Sequence, residues 1–133
     1  MAGPPADAVA LRTAVRRGMK VPGGACGYMG VCGAAAGVGT AFSVLLGATP
    51  RDAAARREAI LATSAALARI GAHPAARCCQ RDAWLALQEA VRLAPSLLGV
   101  APRADAPLVC AQQARNRECS GTNCPLHPRA SRS

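Results

Sequence analysis

The sequence predicts an all-α domain, a compact bundle of four to five short helices with cysteines at its loop–helix junctions. Three observations carry this reading. No run alternates apolar and polar residues in the manner of a half-buried strand. Stretches of ten to twenty residues rich in alanine and leucine are instead separated by glycine and proline, the usual helix punctuation. Two cysteine groups, Cys32 and the pair Cys78-Cys79, each fall at a loop-to-helix junction.

Taken in order, Gly3-Pro4-Pro5 breaks any helix, so Met1 to Asp7 reads as a disordered start. Ala8 to Arg17 reads as a short helix with Val9, Ala10, Leu11 and Val15 available to one face, and Gly18 ends it. Val21-Pro22-Gly23-Gly24 is a turn-rich entry to a glycine loop holding Cys26 and Cys32. A second helix then runs from Cys32 or Gly33 to about Leu46. Gly33, Gly37 and Ala41 repeat every fourth residue, which leaves one face nearly bare for close approach by another helix.

Thr49 is a good N-cap and Pro50 suits a first helical position, so a third helix is expected from Pro50 to Ile70, stopped by Gly71. Ala53, Ile60, Leu61, Ser64, Leu67 and Ala68 are its candidate buried face. The pair Cys78-Cys79 opens a fourth helix, expected to end near Leu93 before Pro95, with Trp84, Leu85, Leu87 and Val91 inward. Ala94 to Pro107 reads as a loop, Leu108 to Arg115 as a short helix carrying Cys110, and the stretch past His127-Pro128 as a disordered basic tail. Three divisions follow: residues 1–21 as tail and short helix, 22–125 as a cysteine-rich helical domain, and 126–133 as the tail.

Composition narrows the function classes. The formal net charge is +9, and all the basic residues except Lys20 are arginine. A basic balance suits an anionic partner, but the arginines are dispersed and not interleaved with aromatics, which argues against a nucleic-acid interface. From Val21 to Pro50 there is no charged residue, yet the glycines in this run argue against a membrane span. The first twenty residues carry Asp7, Arg12, Arg16, Arg17 and Lys20 and no long apolar core, unlike a signal peptide. A reducing, cytoplasmic setting follows, in which clustered cysteines usually serve metal or redox chemistry.

The candidate metal ligands are Cys26, Cys32, Cys78, Cys79, Cys119 and Cys124, expected to converge. Thiolates at this density select an iron–sulfur cluster or zinc over hard cations. His73 and His127 are further nitrogen donors, and Cys110 reads as a small core residue. Cys78 and Cys79, flanked by Arg77 and Arg81, are the candidate catalytic thiols, because positive charge and a helix N-terminus both favour the thiolate. In that second reading the protein is a metal-free thiol oxidoreductase or sulfur carrier with no cofactor. A third reading is a structural zinc domain that binds a protein or nucleic acid. Gly27, Gly30 and Gly33 are candidate positions for a cofactor lying against backbone amides. Gly37-Val38-Gly39 follows no strand and completes no dinucleotide fingerprint.

Four segments together resemble a prokaryotic cysteine-rich domain family of unknown function: Cys26 to Gly39, Gly47-Ala48-Thr49-Pro50, Arg77 to Asp82, and Glu118-Cys119 with Cys124-Pro125. Members of that family occur alone or fused after a methyltransferase domain. The resemblance implies a shared cysteine site and, for a chain without a methyltransferase domain, a methyltransferase or redox protein as partner. Cys32 to Gly37 is also similar to the CGAxxG element of redox-active cysteine proteins. Neither resemblance implies a particular reaction, and the oligomeric state is not legible.

Overall fold

A computed structural model describes residues 6–103 and 108–130. Among these residues there are five α-helices and no strand, so the fold is all-α: α1 (Ala8–Gly18), α2 (Ala25–Tyr28), α3 (Gly33–Leu45), α4 (Ala53–Gly71) and α5 (Cys79–Leu98). One 3₁₀ turn follows at Gly121–Asn123. The disordered start expected for the first residues, the 104–107 part of the expected loop and the last three residues of the expected tail lie outside the described residues.

The helix α3 is the centre of the bundle and touches α1, α4 and α5. Its position follows from composition, since between Val21 and Pro50 the chain has no charge to keep in water. Ala35, Val38 and Phe42 of α3 meet Ala62 and Ala66 of α4 and Ala86, Ala94 and Leu98 of α5 in one core. A core of alanines brings helix axes close together, because there is little side chain to hold them apart. The tightest approach is at Gly39, where an added Cβ would strike the Thr63 side chain and come to 3.0 Å from the Ala59 carbonyl oxygen. The stripe expected to serve this purpose does not: Gly37 faces open space, and a Cβ on Gly33 would meet only Val21.

The helix α1 starts where Asp7 caps it, its carboxylate accepting the Ala10 amide at 2.8 Å. Its expected apolar face is corrected. Val9, Leu11 and Val15 are exposed, while Ala10, Thr13 and Ala14 turn toward the bundle. Small side chains let α1 lie close to α3, and Arg17 donates to Ser43 Oγ across the contact at 3.3 Å. The glycine loop also holds a surprise, the single helical turn α2, entered through Gly24 at φ 83°. Ala25 is buried at its start.

The start of α4 falls three residues after the expected one. Asp52, not Thr49, is the N-cap, and its carboxylate accepts the Ala55 amide at 3.0 Å. Thr49 instead closes the preceding turn, accepting the Arg51 amide. The buried line of α4 is Ala55, Ala62 and Ala66; Ala53, Ile60, Leu61, Ser64 and Ala68 are exposed, and Leu67 is half-buried. The inward face expected for α5 shifts in the same way: Leu85 is buried, Trp84 half-buried, and Leu87 and Val91 are exposed. In α4 the alanines, not the larger aliphatics, take the inner line; in α5 Ala86 and Ala94 share it with Leu85 and Leu98.

Two expectations fail at the C-terminal side. The helix α5 passes through Pro95 and ends at Leu98, capped by Gly99 at φ 68°. Proline costs roughly 3 kcal/mol in a helix interior, but Ala94 and Leu98 are buried in the core and Leu93 and Leu97 pack against it. Leu108 to Arg115 is not a helix; it is a bend and turns, with the Cys110 amide donating to the Leu126 carbonyl at 2.7 Å. Leu126 and His127 are buried, so the packed chain extends past Pro125.

Candidate functional site

The N-terminal end of α5 is a wall between two cysteine-lined cavities. Cys78 is the N-cap, in extended conformation, and Cys79 is the first helical residue. Residues three apart share a helix face and adjacent ones do not. Cys79 and Asp82 therefore look to one side, and Cys78 and Arg81 to the other.

The wall is built on a buried ion pair. Arg81 is 3 % exposed and Asp82 5 %. Arg81 reaches Asp82 Oδ1 through Nε at 3.1 Å and Nη2 at 3.0 Å, and Nη2 also donates to the Ala76 carbonyl at 2.9 Å. Asp82 lies in the first turn of α5, where the helix dipole favours an anion. Arg81 is thus an internal brace, not half of a weak surface pair.

The first cavity, of about 210 Å³, opens between α2, the start of α3 and the start of α5. Cys26, Cys32 and Cys79 line it, together with Arg77, Asp82 and Gly33. Cys32 is the N-cap of α3 and its side chain makes no cap hydrogen bond. The N-terminal ends of α3 and α5 thus both border this space, and each carries a cysteine. Cys79 is exposed, Cys26 half-buried and Cys32 buried. Gly27 stands in α2 and Gly30 in the turn after it, at φ 68°.

The second cavity is smaller, about 20 Å³, room for roughly one water molecule. It is lined by Cys78, Cys110, Cys119, Cys124, Arg81 and His127. Two of its sulfurs accept backbone hydrogen bonds at 3.3 Å, Cys110 from the Gln112 amide and Cys119 from the Gly121 amide. Gln113 also faces this cavity, and its Oε1 is buried with no hydrogen-bond partner. His127 Nδ1 accepts the Arg129 amide at 3.1 Å, which places the proton of a neutral ring on Nε2. Nδ1 is thus already occupied by a backbone donor.

His73 ties the α4–α5 loop to the C-terminal segment, its Nε2 lying 3.1 Å from Ser120 Oγ. Desolvation holds its pKa below the usual 6.5, the Arg81 charge lowers it further, and Asp82 opposes both.

All seven cysteines are free thiols. The six expected to converge divide instead into Cys26, Cys32 and Cys79 on one side and Cys78, Cys119 and Cys124 on the other. The physical reason is helical geometry, which turns consecutive side chains apart. Cys110, expected in the core, joins the second group. Gln113 and Ser120 carried no sequence signal, being ordinary polar residues in a segment without periodicity. Among the described residues, no three histidine, cysteine or acidic side chains form a ready-made ion cage. No described helix is long and apolar enough to cross a membrane.

A family model described as a family of unknown function (DUF5714) matches residues 2–127. No curated protein and no solved structure matches the chain.

Proposed function

For a chain that belongs to the DUF5714 family, whose function is unknown, we propose a thiol-based redox role centred on the open cavity. One observation carries the reading: three thiols from three separate stretches, Cys26, Cys32 and Cys79, line one solvent-reaching space bordered by two helix N-termini and Arg77. Those ends and that guanidinium supply positive potential where an attacking sulfur would carry negative charge. Cys79 is the exposed member and is assigned as the nucleophile.

The reaction needs a disulfide on a partner protein. Cys79 thiolate attacks one sulfur of that disulfide, forming a mixed disulfide and expelling the partner's other sulfur as a thiolate. The thiolate of Cys26 or Cys32 then attacks Cys79 Sγ and expels the second partner thiolate. Two electrons pass to the partner, the chain keeps one disulfide, and the protons lost by its two thiols are taken up by the two released ones. A reducing compartment, such as the cytoplasm, returns the chain to its dithiol form.

A second reading is favoured by the size of the same space. With about 210 Å³ it has more room than a single ion requires, which suits an iron–sulfur cluster held by the same three thiols and one further ligand. One experiment separates the two. The full chain is purified anaerobically, its iron, zinc and acid-labile sulfide are measured, and it is then mixed with glutathione disulfide and the thiol adducts are mapped by mass spectrometry. A colourless sample with a Cys79 adduct that resolves to a disulfide with Cys26 or Cys32 supports the redox reading. Brown colour with iron and sulfide supports the cluster. A colourless sample with no adduct at Cys79 refutes both.

A further inference from the structure

Residues 108–130 keep their path with little of what usually holds a chain. Apart from one 3₁₀ turn they form bends and turns, and only Cys124, Leu126 and His127 among them are buried. So little apolar burial is a weak anchor for an irregular segment of this length, and small units of this kind are commonly held by a staple. The thiols of the segment are not scattered. Cys110, Cys119 and Cys124 all line the small cavity, where Cys78 meets them from the cap of α5.

Two further features point to an occupant of that cavity. Its volume, about 20 Å³, suits something of atomic size rather than a cluster or an organic molecule. Backbone amides already donate to Cys110 and Cys119, the kind of outer-shell bond that steadies a thiolate ligand.

We infer that Cys78, Cys110, Cys119 and Cys124 hold one structural zinc ion, which staples the C-terminal segment to the start of α5. Four cysteines are a closed structural zinc set, with no position left for substrate. Binding converts four thiols to thiolates and releases four protons, leaving a site of net charge −2 beside the Arg81 guanidinium that lines the same cavity. His127 lines it as well, with Nδ1 taken by the Arg129 amide, and the four thiols already complete a zinc set without it. As they stand, no three of these side chains among the described residues are placed to hold an ion. The ion draws them in, which the irregular backbone under three of them permits, and its binding energy becomes folding energy of the segment.

The test uses the full chain, expressed without a metal-affinity tag and purified with a reductant. Zinc is measured in the wild type and in Cys119→Ser, Cys124→Ser, Cys26→Ser and Cys32→Ser. The expected result is about one zinc per chain, lost in the first two variants and kept in the last two. Substoichiometric zinc after reconstitution overturns the inference, as does zinc lost equally with Cys26 or Cys32. If the Cys119 and Cys124 variants do not fold, the wild type exchanged with cobalt decides the matter. Tetrahedral d–d bands with intense sulfur-to-cobalt absorption support four thiolate ligands, and a spectrum of aqueous or oxygen-bound cobalt overturns them. The open-cavity redox role is judged on Cys79 adducts and stands or falls separately.

Discussion

Cys78 and Cys79 are consecutive residues whose side chains line different cavities. The divide is a consequence of where α5 begins. Cys78 is held extended as the cap and Cys79 is already helical, so their side chains leave the chain in different directions. A vicinal pair that looks like one dithiol is therefore two thiols with separate neighbours and separate chemistry.

The first expected outcome concerns order of labelling. Under substoichiometric iodoacetamide, Cys79 reacts first, because it is the exposed cysteine, and Cys32 and Cys124 react last, because they are buried. Peptide mapping reads the order directly. Labelling of Cys78 ahead of Cys79 would mean that the two cavities are not divided as described.

The second concerns the brace behind both thiols. Removing one partner of a buried ion pair leaves the other charge unpaired, at a cost of about 3–5 kcal/mol. Asp82→Ala and Arg81→Met are each expected to destabilise by that amount in urea unfolding. The double variant Arg81→Met with Asp82→Leu is expected to lose less than the two singles together, since no lone charge is left inside. Additive losses would show that the pair is not coupled.

A third outcome separates two glycines of one helix. Gly39→Ala places a methyl group against Thr63 and the Ala59 carbonyl, and the backbone of α4 cannot step aside. Overpacking of this kind costs about 1–3 kcal/mol. Gly37→Ala meets open space and removes a flexible residue from a helix interior, a gain of about 0.5–1 kcal/mol. Thermal unfolding should therefore move in opposite directions for the two variants. Equal shifts would place the α3–α4 contact elsewhere.

These glycines also mark how far the sequence can be read. The four longer helices were legible because alanine- and leucine-rich stretches broken by glycine and proline are local signals, although the cap of α4 and the end of α5 were misplaced. The inner faces were not. Ile60, Leu61, Leu87 and Val91 are the obvious candidates for burial, yet α4 turns only alanines fully inward and α5 buries Ala86 and Ala94 beside Leu85 and Leu98, since small residues allow the closest helix approach and nothing local records that choice. Pro95 reads as a stop, and only the burial of Ala94 and Leu98 overrides it. The cysteines as a site were legible from their density, but the division at Cys78 and Cys79 depends on the first helical residue, and Cys110 joins its group through a turn that carries no motif.

The last outcome is a pH dependence. Desolvation, assisted by Arg81, lowers the His73 pKa in the folded chain, so the fold disfavours its protonated form. The unfolded chain, with the ordinary value of 6.5, then binds this proton at higher pH than the folded one. Stability is linked to that difference and rises with pH wherever the unfolded state holds more protons. The contribution of His73 is thus complete above 6.5, falls as the pH drops below it, and becomes constant once the folded form is also protonated. Asp and Glu begin to titrate near pH 4, so the informative window lies between about pH 5 and 7. Urea midpoints across that window should decline toward acid in the wild type and change less in His73→Gln. Loss of protection should appear first in hydrogen exchange around Ser120, the residue that His73 contacts. Parallel pH profiles for wild type and variant would remove His73 from the connection between the α4–α5 loop and the C-terminal segment.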